Sequence, residues 1–177
     1  MRYLYVLALV LFTGSYTFSS GSSIYGGDDD DDDNGGNSSA NNNNYLDVNL
    51  NSNLNFTINQ PEELEHTQTL TNAIRLNFMT KRKNCGIYAK VVSYTAPYGA
   101  DKTNVPLELK HRSDNSNNVS SLVTTPLHLT TYDQRLFIQP KSKQEYNFYY
   151  DLRLMPLGYE YPEGQYNFTL MFTMTQE

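Results

Sequence analysis

Tryptophan is absent from the 177 residues and cysteine occurs once, at Cys85. A single cysteine excludes an intrachain disulfide. A bacterial lipoprotein would need a cysteine directly after its N-terminal apolar stretch, and Cys85 stands far from it. Its surroundings, Lys83-Asn84-Cys85-Gly86, are turn-like and favour a small, partly buried residue. The sharper alternative is an intermolecular disulfide in an oxidising compartment.

Positive charge is also scarce. Six of the 19 acidic residues are Asp28 to Asp33, and one of the 13 basic residues is Arg2; Tyr45 to Glu177 keeps 13 acidic and 12 basic residues, a net of −1. A segment so balanced has no field to steer it toward nucleic acid, and no such partner is expected. No apolar run reaches the roughly 20 residues needed to cross a bilayer as a helix. No transmembrane segment is expected in a mature chain.

What is present divides the sequence in three. Residues 1–18 read as a signal peptide: Arg2 is a minimal basic start, Leu4 through Phe12 an apolar centre, and Thr13, Gly14 and Ser15 the small residues of a cleavage region. The expected location is periplasm, cell surface or extracellular. Residues 19–44 are Ser, Gly, Asp and Asn with almost nothing apolar, the composition of a disordered linker kept extended by mutual repulsion of its aspartates.

Residues 45–177 carry the folding signal. The chain has 15 Tyr and 8 Phe, residues that fit a pleated, half-buried surface. Leu46, Val48 and Leu50 alternate with polar residues, as do Leu54, Phe56 and Ile58, and then Ile74, Leu76 and Phe78. Further strands are expected at Ile87 to Tyr94, Val105 to Leu109, Val119 to Val123, Leu127 to Thr130 and Leu136 to Gln139. The clearest are the last two, with Tyr146, Phe148, Tyr150, Leu152 and Leu154 on one face, then Tyr166, Phe168, Leu170, Phe172 and Met174. Such alternation is the habit of antiparallel sheets with one wet face, and about ten short strands at this spacing predict an all-β, two-sheet sandwich. Pro61 to Thr71 is the exception, where Glu62, Glu63 and Glu65 after a proline suit a helical turn or a solvated loop equally.

No arrangement of side chains announces a reaction, so no catalytic residue, cofactor or metal is expected. Asp30, Asp32, Asn34 and Gly35 match the first half of a calcium loop, but Asn41 stands where a bidentate Glu is required. His66, His111 and His128 lie in different segments without zinc-ligand spacing. Paired carboxylates that meet only in space are invisible to this reading, and a non-enzyme is the expectation. Lys81-Arg82-Lys83 reads as a solvated hairpin tip, with contact to an anion or a glycan sulfate as the functional option. Tyr149, Tyr159 and Tyr161 fall off the core alternation or in a loop, where tyrosine can stack on sugars or anchor an interface. Asn37, Asn55, Asn118 and Asn167 head glycosylation sequons, expected by chance in an Asn-rich chain.

The run Tyr161-Pro-Glu-Gly-Gln-Tyr-Asn-Phe-Thr-Leu-Met-Phe-Thr-Met-Thr175 resembles the C-terminal strand of bacterial pilin-type subunits. Asn72-Ala-Ile-Arg-Leu-Asn-Phe78, after an early strand at Tyr45 to Ile58, is similar to cysteine-poor alpha-type fimbrial subunits and spore-coat-U-like proteins. The resemblance implies an incomplete immunoglobulin-like sandwich, exported and assembled at the cell surface with copies of itself or another surface protein. Leu46, Val48 and Leu50 become the candidate donor strand. A secreted carbohydrate-binding module, with glycans as partners, is the alternative; aromatics in a row across one sheet face would favour it.

Overall fold

A computed structural model describes residues 6–10 (as backbone), 44–51, 54–81, 83–98, 104–159, 161–162 and 164–177. The acidic run, its half-motif for calcium and the Asn37 sequon lie outside these residues, as does nearly all of the expected linker.

Among the described residues ten strands follow in chain order: β1 (Val6–Val10), β2 (Tyr45–Leu50), β3 (Asn55–Ile58), β4 (Gln68–Met79), β5 (Cys85–Thr95), β6 (Leu107–Asp114), β7 (Leu127–His128), β8 (Gln134–Gln139), β9 (Glu145–Leu154) and β10 (Gly164–Gln176). They form two five-stranded sheets, ordered β3-β1-β10-β5-β8 and β2-β4-β9-β6-β7. Neighbours are antiparallel throughout, except that β1 runs parallel to β10. The two-sheet, all-β architecture read from the alternation is the one observed.

Alternation explains which faces meet. Tyr146, Phe148, Tyr150, Leu152 and Leu154 of β9 are all buried, as are Tyr166, Phe168 and Leu170 of β10. The sheets are joined by aromatic packing: Phe137 of β8 stacks on Phe148 of β9 with centroids 4.1 Å apart, and Phe78 of β4 lies 5.4 Å from Phe137. These rings exclude water from the centre of the sandwich, and each large buried side chain stabilises it by about 1.5–3 kcal/mol.

Two irregularities re-aim side chains. The β5–β10 register shifts between Thr169 and Leu170, leaving Val92 exposed, and this returns Tyr94 to the inner face, stacked 4.7 Å from Phe168. In β4 the shift lies between Leu70 and Ile74, where Asn72 adopts φ 54. Asn tolerates that left-handed conformation better than most residues. Asp151 accepts the Asn72 amide at 2.7 Å, and the Asn51 side chain donates to the Asn72 carbonyl at 3.0 Å.

Three expectations are corrected, and at Pro61 to Thr71 the helical turn is the alternative that forms. The early strand Tyr45 to Ile58 is two strands in different sheets, with Leu46 and Val48 packing on the core from one sheet and Leu54, Phe56 and Ile58 belonging to the other side of it. Pro61–Glu65 is one 3-10 turn, closed by Glu63 accepting the Asn59 and Gln60 amides at 2.7 and 3.3 Å; Gln68 already begins β4. Lys81 and Lys83 lie between strands of opposite sheets, on a crossing connection instead of a hairpin tip. Val119 to Val123 makes a single bridge, Ser120 to Ile138, rather than a strand.

Candidate functional site

The most unusual local arrangement is the joint between β3 and β10. Neither strand pairs with the other; β1 lies between them. Val6, Leu7, Ala8, Leu9 and Val10 are in register with Gly164, Gln165, Tyr166, Asn167 and Phe168 on one side. On the other, Val6 through Leu9 face Ile58, Thr57, Phe56 and Asn55. Since paired strands lie about 4.8 Å apart, β3 and β10 are separated by twice that, the width of one strand. Among the described residues β3 has no other partner in its sheet.

The walls of this slot are apolar on the core side. Leu54, Phe56 and Ile58 are buried on one wall, and Tyr166, Phe168 and Leu170 on the other. Tyr166 donates its hydroxyl to the Pro162 carbonyl at 2.6 Å, which ties the turn before β10 to the start of that strand. Burial raises the Tyr166 hydroxyl to about 12, with the neighbouring Tyr161 adding to the shift. Such a channel binds an extended apolar segment through main-chain hydrogen bonds and alternate side-chain pockets. Sequence reasoning missed it because Leu4 to Phe12 satisfies the pattern of an export signal. A short continuous apolar run is also what a strand buried on both faces looks like.

The other expected residues are placed apart. Leu46 is buried, Val48 half-buried and Leu50 43% exposed, on a β2 that is hydrogen-bonded along its length to β4 of the same chain. Tyr149 is half-buried on the outer face of the second sheet, in register with Arg75 and Ser113. Tyr159 is exposed in the turn after β9, and Tyr161 packs 6.1 Å from the ring of Tyr166. The three tyrosines therefore occupy three settings. Cys85 is fully buried, and burial followed by the charge of Glu177 raises its thiol above the ordinary value.

A second polar cluster lies between β6 and β9. His111 Nε2 is 3.0 Å from Asp114 Oδ2, a distance for an ion pair when the ring is protonated, but it is not aligned as a hydrogen bond. The buried Tyr150 hydroxyl nearby has no hydrogen-bond partner among the described residues, and burial, then the charge of Asp114, pushes its ionisation up. His128 Nε2 lies 2.7 Å from the Val105 carbonyl. Among the described residues no group of three or more His, Cys, Asp or Glu could hold a metal ion, and no helix is long and apolar enough to cross a membrane. No protein-family model matches the chain, and no curated protein matches it in sequence.

Proposed function

We propose that the chain is an exported, non-enzymatic structural or adhesive subunit of a cell surface, associating with copies of itself or with another surface protein. The observation that carries this reading is the joint between β3 and β10. The strand that fills it comes from the apolar segment whose pattern marks it for removal on export. A chain that loses that segment keeps two strand edges facing an apolar slot, and unpaired edges recruit strands.

The competing carbohydrate-binding module calls for aromatics in a row across a sheet face. The exposed tyrosines Tyr98, Tyr132 and Tyr159 stand in loops. Surface labelling of the native host, followed by denaturing gels with and without boiling, separates the two readings. The subunit reading expects surface-labelled, high-mass species that dissociate on heating. A soluble monomer captured by immobilised polysaccharide would favour the module, and a chain confined to the cytoplasm with Met1 intact would overturn both.

A further inference from the structure

We propose that Asn55 and Asn118 are N-glycosylation sites whose glycans stand at the two rims of the first sheet. The inference rests on the export part of the subunit reading, and requires an export pathway that holds a lipid-pyrophosphate-linked oligosaccharide as donor. The carboxamide nitrogen bonds to the anomeric carbon of the sugar and gives up one proton. The bond from that carbon to the pyrophosphate breaks, and the lipid pyrophosphate leaves with the electron pair.

Three sequons lie within the described residues: Asn55-Phe56-Thr57, Asn118-Val119-Ser120 and Asn167-Phe168-Thr169, none with a central proline. An Asn-rich sequence supplies such triplets by chance, but the fold does not treat the three alike. In β3, exposed Asn55 and Thr57 alternate with buried Phe56 and Ile58, so the acceptor and its sequon hydroxyl share the outer face. The Asn55 side chain makes no hydrogen bond with a described residue. Asn118 is exposed in the loop after β6, and its Oδ1 accepts Gln139 Nε2 at 2.8 Å. Gln139 Nε2 also donates to the Pro140 carbonyl at 3.4 Å, which fixes the orientation of both amides. A fully buried residue thus holds the Asn118 oxygen, while Nδ2, the atom that takes the sugar, has no partner among the described residues. A glycan on Nδ2 keeps both contacts.

Asn167 is the contrast. It is half-buried on the middle strand of the first sheet, where Nδ2 donates to Thr95 Oγ1 at 3.1 Å and Oδ1 accepts Gln165 Nε2 at 3.2 Å. A glycan there would lie over the neighbouring strands and disturb that row. Chains so modified are expected to be absent from the folded protein.

Placement gives the pair a role. β3 and β8 are the end strands of the first sheet. Asn55 is on β3, and Asn118 stands two residues before Ser120, which exchanges backbone hydrogen bonds with Ile138 of β8 at 2.9 and 2.8 Å. Open sheet edges recruit strands from other chains, and a bulky hydrated group at each rim obstructs that pairing. Contacts between folded chains are thereby directed away from both rims.

The test takes protein recovered from the native host and treats it with an amidase that removes N-glycans and converts each occupied asparagine to aspartate, read by peptide mass mapping. Conversion at Asn55 and Asn118, with Asn167 unconverted, is the expected result. Thr57→Val and Ser120→Ala each remove a sequon hydroxyl and leave the asparagine in place, so each should lose the mass of one glycan. The double variant should lose both and sediment as larger species than the glycosylated chain at equal concentration. Amidase treatment of the folded protein gives the same comparison without a substitution. An unmodified Asn55 or Asn118 overturns the proposal, as does occupancy of Asn167 in place of either, and equal sedimentation with and without glycans overturns the role at the rims. An unmodified chain assembled on the host surface would end the proposal and leave the subunit reading standing.

Discussion

Tyr150 and Phe148 sit side by side in β9 with their rings buried, yet their polar demands differ. The Tyr150 hydroxyl has no hydrogen-bond partner among the described residues, so removing it leaves none of them unsatisfied. Tyr150→Phe is therefore expected to be neutral or slightly stabilising in denaturant titration. Phe148→Ala removes a ring that stacks on Phe137 across the two sheets, and a loss of about 3–5 kcal/mol is expected from cavity formation. Asp151 illustrates the opposite case. It is a buried carboxylate that accepts the amide of the strained Asn72 and lies 3.3 Å from Arg112. Asp151→Ala should cost about 1–3 kcal/mol, because the Asn72 amide loses its acceptor. Arg112→Ala should cost little, since its side chain is 47% exposed and screened by solvent. Alkaline pH probes the tyrosines together. Burial, and then a hydrogen bond with Glu145, raises Tyr45 to about 12, and burial does the same for Tyr166. Both stay protonated in the folded chain after they would ionise in the unfolded one, at an ordinary value near 10. Their contribution is complete below pH 10 and is lost as pH rises toward 12, so melting temperature should fall across that window while tyrosinate absorbance lags behind an unfolded reference.

Strands were legible in the sequence wherever one face is wet. β9 and β10 announce themselves by strict alternation, and the residues so identified form the core. Bulges were not legible: β5 carries one extra residue at Val92 and β4 two between Leu70 and Ile74, and such insertions depend on the partner strand. Sheet assignment was hidden as well, since the triplets Leu46/Val48/Leu50 and Leu54/Phe56/Ile58 have the same pattern but join opposite sheets. The largest gap concerns β1, whose continuous apolar run fits an export signal and a doubly covered strand equally well. As for the expected site residues, Tyr149, Tyr159 and Tyr161 share only their departure from the alternation, a property that does not gather them in space. An element-scale experiment follows from the position of β1. Ala8→Pro in the intact chain removes a ladder donor from a strand paired on both sides, where proline is poorly tolerated. It should lower the melting temperature, whereas Tyr132→Ala, at an exposed loop position, should not.

At the scale of the whole molecule, two sheets share one aromatic core, and the first of them is continuous only because residues from the two ends of the chain meet in it. β1 and β10 are far apart in sequence, so their pairing is the most non-local strand pairing among the described residues and one expected to form late in folding. The account stands on that pairing and its direction. Cysteine cross-linking of the intact monomer reads both, because a disulfide needs Cα atoms within about 4.4–6.8 Å. Leu9 and Asn167 are register partners across β1 and β10, and Thr95 and Asn167 are partners across β5 and β10. With the buried Cys85 left in place, Leu9→Cys with Asn167→Cys is expected to form an intrachain disulfide as readily as the control pair Thr95→Cys with Asn167→Cys. Leu7→Cys with Asn167→Cys, two residues out of register, should not. Ready oxidation of the control pair with no cross-link at Leu9 would contradict the account, because β10 would be intact and its neighbour would not be the N-terminal strand.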